Sequence, residues 1–178
     1  VNVLLFERIL PGSFLQQFAE IKTRYEDQRS RDAAMVCRVG SHLDCDVLKL
    51  QNREWTNDDL KTMVNQSGIF FSIWITAAGA QQDRAEYNIH ALKLRKLEGY
   101  RLTSRDFCQR FRARFIEAKS RWPNVATHYG PLTLMQGWFH IDRKTFAQDV
   151  LEMMNRFDRD VAPIIDDLLA PHRIGTQE

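Results

Sequence analysis

Cysteine is scarce in this chain, and its three residues, Cys37, Cys45 and Cys108, form no C-x-x-C pair. An odd count without that spacing argues against a disulfide framework and for free thiols in a reducing, cytoplasmic setting, although Cys37 and Cys45 could face each other across a hairpin. Glycine is limited to eight residues, and neither G-x-G-x-x-G nor G-x-x-x-x-G-K-[ST] occurs. Both glycine-rich phosphate cradles are therefore excluded. The G-x-S-x-G nucleophile elbow and the H-E-x-x-H zinc signature are missing too. No apolar run approaches the roughly 20 residues that span a bilayer, so a soluble protein without a membrane partner is expected. The apolar opening, residues 1–10, is interrupted by Glu7 and Arg8 and has neither a basic start nor a small-residue cleavage site; it reads as core-packing rather than targeting. No internal repeat or low-complexity linker stands out.

What is present is ordinary for one globular unit. The 178 residues are 44% apolar and 27% charged. A chain of this size buries about 70% of its unfolded surface. A single domain over residues 1–171 is expected, followed by a flexible tail over 172–178.

Periodicity orders the elements. Phe14, Phe18, Ile21 and Tyr25 recur at helical spacing after Pro11-Gly12-Ser13, which predicts a helix capped by Ser13 and running to about Ser30. Residues 35–39 and 47–50 read as strands joined by a long polar connection, and residues 55–66 as a short helix capped by Thr56 or Asn57. The run 69–77 is β-branched and aromatic, as in a central strand covered on both faces. Residues 86–95 alternate as a strand does, while Ile89, Leu92 and Lys96 also fit a helical spacing; the strand reading leaves 78–85 as a long exposed loop. A helix from Thr103 or Ser104 to just before Pro123 comes next, then a strand over 131–141 with Gly137 as a bulge or close-approach point. A final helix starts at Asp142, and Pro163 divides it from a second, shorter one. This order predicts an α+β fold: a mainly antiparallel sheet of about five strands with helices packed on one face.

Charge is unevenly distributed. Residues 93–121 carry ten Lys/Arg against three Asp/Glu, so a block of +7 is hidden in a chain of net charge +2. Within it Phe107, Phe111, Phe115, Ala118 and Trp122 form one apolar helical stripe. Arg101, Arg105, Arg112 and Lys119 project along one flank; Arg110, Arg114 and Arg121 project along the other. Positive charges at seven-residue intervals, about 10 Å apart, match successive phosphates, and Lys93, Arg95 and Lys96 extend the row. These residues are the candidate nucleic-acid or polyanion surface, with Tyr100, Trp122 and Tyr129 as stacking candidates. The competing reading is that the basic side chains snorkel over the core edge and pair with the acidic C-terminal helices.

His42, Asp44 and Asp46 alternate along the chain, and on an extended strand would aim one imidazole and two carboxylates to one side, a donor set for a divalent metal. With a basic surface nearby, that would suit a metal-dependent phosphodiesterase or nuclease built from an Asp and an acid-x-Lys pair. Against it, Asp46-Val47-Leu48-Lys49 has one residue too many, and the run 69–77 contains no acid or lysine. His128 and His140 have no visible partner and read as structural. The expected function is binding of a polyanion. Metal-dependent cleavage is the enzymatic alternative, and pairing of the basic helix with the acidic helices of a second copy, giving a homo-oligomer, is the third.

Overall fold

A computed structural model describes residues 14–29 and 34–174. Five strands, β1 (Met35–His42), β2 (Cys45–Asn52), β3 (Gly68–Ile75), β4 (Arg84–Leu92) and β5 (Thr133–His140), pair antiparallel in sequence order as one sheet. The helices α1 (Leu15–Asp27), α3 (Ser104–Phe115), α4 (Phe146–Asp160) and α5 (Ala162–Leu169) supply the cover for one face, while α2 (Ala77–Gln81) is a single turn between β3 and β4. The described residues form the expected α+β architecture as one domain.

Strand alternation decides which side chains meet the helices. Leu48 and Leu50 of β2, Ile69, Phe71 and Ile73 of β3, and Tyr87, Ile89 and Ala91 of β4 all point to the helical side and are fully buried. Phe71 is the hub: its ring stacks on Phe157 of α4 at 4.9 Å and meets Trp122 edge-on at 6.0 Å. At the other end of the layer, Phe14 before α1 and Phe146 at the start of α4 make an edge contact at 5.2 Å.

Several expectations change at the level of local structure. The link between β1 and β2 is a two-residue turn, not a long loop: Leu43 and Asp44 both take positive φ, 49° and 60°, as a type I′ hairpin requires, so both strands run longer than their apolar cores. Residues 55–66 form no α-helix. Thr56 Oγ1 accepts from the Asp58 amide, but Asp58 is buried and its carboxylate accepts from the Gln66 and Ser67 amides, folding the segment back on itself. Residues 78–85, expected as an exposed loop, contain α2, capped by Thr76 and burying Gly79 and Ala80. The β3 run is covered by helices on one face only. The strand expected over residues 86–95 is β4, which starts at Arg84 and ends at Leu92 before a 3₁₀ turn at 94–96, and Pro163 stands in the first turn of α5. Ser13, the expected cap of α1, lies outside the described residues.

Gly137 meets its expected role as a close-approach point: a Cβ there would lie 2.3 Å from the Tyr87 hydroxyl, which itself donates to the Pro123 carbonyl at 2.6 Å. Gly68 opens β3 at φ 146°, where a Cβ would strike the Trp55 carbonyl at 2.4 Å. The three thiols are free. Cys37 pairs in register with Leu50 and faces the helices, whereas Cys45 pairs with His42 on the opposite face, so the two do not meet across the hairpin. The C-terminal segment is tied down through residue 174 by the His172 carbonyl on the Arg101 amide and the Ile174 amide on the Gly99 carbonyl, each at 2.8 Å. No helix among the described residues is long and apolar enough to cross a membrane.

Candidate functional site

Helix α3 begins where the chain leaves β4 and turns twice. Thr103 caps it by accepting from the Asp106 amide at 3.1 Å, and its hydroxyl donates to the Asp106 carboxylate at 2.7 Å. Ser104 Oγ accepts from the Leu94 amide at 3.1 Å, holding the turn at residues 94–96 against the helix start. The segment 99–101 bridges to 172–174 along its other edge. A groove of about 530 Å³ opens between these pieces, with Arg95, Arg101 and Arg110 on its walls and Leu102, Phe107 and Leu168 among its apolar lining.

The basic residues named from the sequence divide into three groups. Arg114 and Arg121 are paired within the chain, to Asp167 at 2.8 Å and Asp160 at 3.0 Å. The acidic C-terminal helices therefore neutralise that flank, and the charge complementarity that suggested pairing between copies is already used inside one. Arg112 is half-buried, and its guanidinium donates to the carbonyls of Gly130 and Thr133 at 2.5 and 2.8 Å, a structural tie between α3 and the entry to β5. Lys93, Arg95, Lys96, Arg101, Arg105, Arg110 and Lys119 are exposed, and no ion pair joins any of them to a carboxylate among the described residues.

The expected row Arg105–Arg112–Lys119 does not stand as one ridge. Helix α3 ends at Phe115, after which i→i+3 bonds from Ala118 to Phe115 and from Arg121 to Ala118 tighten the chain. Those turns keep Ala118 and Trp122 on the buried side with Phe107, Phe111 and Phe115, as the stripe required, but place Lys119 in a separate 3₁₀ turn. What gathers at one place is Arg95, Arg101 and Arg110. Helical spacing puts Arg110 on the opposite flank, and the groove is not visible in the sequence because its second wall, residues 172–174, is remote along the chain. Of the stacking candidates, Trp122 is core, Tyr129 is exposed against His128, and Tyr100 lines the groove.

The sequence-predicted metal ligands are not brought together. His42 pairs with Cys45 on the sheet face away from the helices, Asp44 sits in the hairpin turn, and Asp46 pairs with Ser41 on the helical face, where its carboxylate accepts from the Phe14 amide at 3.0 Å. The two-residue turn pairs His42 with Cys45, so Asp46, next along the strand and four positions from His42, falls on the opposite face. No group of three His, Cys, Asp or Glu among the described residues is placed to hold a metal ion. No family model, curated protein or solved structure matches this chain.

The face of the sheet away from the helices holds a second cavity of about 310 Å³. Cross-strand register lays a polar row, Lys49–Ser72–Asn88, over three strands. Lys49 is only 2% exposed; its ammonium donates to the Met63 carbonyl at 3.1 Å and to Asn65 Oδ1 at 2.7 Å, and lies 4.7 Å from the Phe70 ring centroid. Burial, reinforced by the Arg38 charge and opposed by Asp58, lowers its pKa from 10.5 to about 8. Burial also lowers the pKa of His90, whose imidazole bonds Asn88 and Thr133 at 2.8 and 3.2 Å.

The Lys49 shift predicts a pH dependence. Between about 8 and 10.5 the unfolded chain holds a proton that folded Lys49 has released, so this residue's contribution to stability rises with pH. From pH 7 to 9.5 the gain is about 2 kcal/mol. Cys37 and Cys108, whose thiols burial pushes up, act in the opposite direction, so the expected result is a difference. Urea denaturation across that range should show wild type gaining on Lys49→Met by about 2 kcal/mol; parallel curves for the two proteins would refute it.

Proposed function

We propose that this protein binds a polyanion, with nucleic acid the partner its chemistry fits best, in the groove between the start of α3 and residues 172–174. The observation that carries the reading is that Arg95, Arg101 and Arg110 line one groove, and none of them is ion-paired to a carboxylate among the described residues. Guanidinium forks match phosphate oxygens, and Leu102, Phe107 and the edge of Tyr100 offer apolar surface to a sugar or base. Asp106 also lines the groove, with one carboxylate oxygen held by the cap hydroxyl of Thr103. Its charge favours a strand that passes along the arginine wall over one that enters the helix end. Lys93, Lys96 and Arg105, all exposed, lie on the same chain segments and extend the positive surface beyond the groove.

Fluorescence anisotropy with mixed-sequence single-stranded oligonucleotides tests the reading. Three to four phosphate contacts predict an affinity loss of about 20- to 50-fold between 50 and 200 mM salt. The combined Arg95→Ala, Arg101→Ala and Arg110→Ala variant removes exposed side chains and should flatten the logarithmic salt slope by about 2. Arg114→Ala with Arg121→Ala, which removes charges already neutralised, should leave the slope nearly unchanged. Absence of binding at 50 mM salt, or a triple variant that binds as wild type does, would sink the proposal.

A further inference from the structure

The cavity on the sheet face away from the helices contains two polar groups that the described residues leave incomplete. Among the described residues Lys49 is a buried cation with only neutral acceptors: Asp58, whose charge acts on it, is already engaged by Arg38 at 3.7 Å and by Gln51 at 3.0 Å. Buried charges in proteins are ordinarily paired, because desolvation without a counter-charge is costly. Two cross-strand neighbours away, Asn88 is 8% exposed, and its amide nitrogen is spent on His90. Its Oδ1 is buried without a hydrogen-bond partner among the described residues. An acceptor so placed requires a donor.

The surroundings narrow the missing partner. Ser72 lies between Lys49 and Asn88 in the register and contributes a hydroxyl on the same face. Along the strands, Val47 and Trp74 border the polar row on one side, Phe70 and Leu92 on the other, and no carboxylate among the described residues lines the cavity. Two inter-strand steps place Lys49 and Asn88 about 10 Å apart at the backbone. The volume of about 310 Å³ equals that of about ten waters, which suits a ligand of roughly ten to fifteen non-hydrogen atoms.

We infer that this cavity is a binding site for a small aromatic carboxylate that carries a ring hydroxyl or N–H. The carboxylate takes the remaining N–H of Lys49 and the hydroxyl of Ser72, the ring lies between Phe70 and Trp74, and the ring donor completes Asn88 Oδ1. Such a ligand supplies the counter-charge and the donor at once, over the span that the polar row sets. The site stands apart from the arginine groove and does not depend on it.

The test uses the full chain and 4-hydroxybenzoate, with 4-hydroxybenzamide as the neutral isostere, in calorimetric titration and in amide-resolved NMR. Saturable binding of the acid is expected, with shifts confined to β2, β3, β4 and residues 63–65. Loss of the charged contact should weaken the amide, and equally the Lys49→Met variant, by about 10- to 100-fold. Ser72→Phe, which fills the cavity from its floor, should abolish binding, while Arg101→Ala should leave it unchanged. Wild-type NMR keeps the test decisive should a variant not fold. No saturation, shifts that map to the arginine groove, or equal affinity for acid and amide would each overturn the inference.

Discussion

Phe71→Ala should cost about 3–5 kcal/mol. The ring is fully buried and contacts three of the elements that make the core: it stacks on Phe157 of α4, meets Trp122 from the segment after α3, and lies 6.3 Å from Tyr87 on the neighbouring strand. Truncation removes the transfer energy of the ring and leaves a void walled by rigid aromatics, which cannot collapse as a cluster of flexible aliphatics could. Stabilities of single domains are about 5–15 kcal/mol, so the variant should be close to unfolding at room temperature. Urea denaturation checks this through the midpoint at unchanged slope. A loss below about 1.5 kcal/mol would mean that the helix layer packs differently from the arrangement described.

Asp58→Ala should be nearly as damaging, at about 3–5 kcal/mol, for an electrostatic reason. Its side chain is 1% exposed and gathers the Gln66 and Ser67 amides, the Gln51 amide and the Arg38 guanidinium. Arg38 is itself buried, donates to the carbonyls of Asp59 and Thr62 and to Gln51, and has its pKa lowered first of all by that burial. Removing the carboxylate strands a cation beneath the segment 56–67 and unties both amides that close it. Protease sensitivity at residues 59–66 should rise along with the fall in stability. Replacing both partners, as Arg38→Met with Asp58→Leu, should recover a substantial part of the loss, because two uncharged side chains leave no orphaned ion. Equal losses in the single and double variants would show that the pair has no special energetic role.

This segment also shows where sequence reading reaches its limit. Thr56 or Asn57 as cap, with Asp58 and Asp59 at the positive end of the helix dipole, predicts a helix over residues 55–66. The same chemistry serves equally well to close a loop. Which outcome occurs depends on Arg38 of β1 and Gln51 of β2, and on whether Asp58 is buried against them. The segment 78–85 failed for a related reason: α2 is one short turn, too brief for its periodicity to register, and what holds it is the burial of Gly79 and Ala80.

The apolar stripe at 107, 111, 115, 118 and 122 was legible and is buried along its whole length, yet the helix that carries it stops at Phe115. Burial constrains the stripe, and a 3₁₀ turn satisfies that constraint as well as α-helix does. The polar flanks carry no such constraint. Arg112 was drawn to the carbonyls of Gly130 and Thr133, Arg114 and Arg121 to acids of the C-terminal helices, and the charge row read from heptad spacing was divided among three uses.

By itself, then, the chain's pattern of apolar residues determined the order of the five strands and the four longer helices, the antiparallel α+β sheet and its helical face, because side-chain burial follows periods of 2 and 3.6 that are written locally. Only the tertiary structure decided which polar groups meet. It sent His42 and Asp46 to opposite faces, brought residues 172–174 against Arg101 to make a groove, and aligned Lys49, Ser72 and Asn88 from three strands into one row. Charged and hydrogen-bonding side chains are long, solvated until a partner appears, and matched to partners far off in sequence, so their pairing is settled by the register and packing of the whole domain.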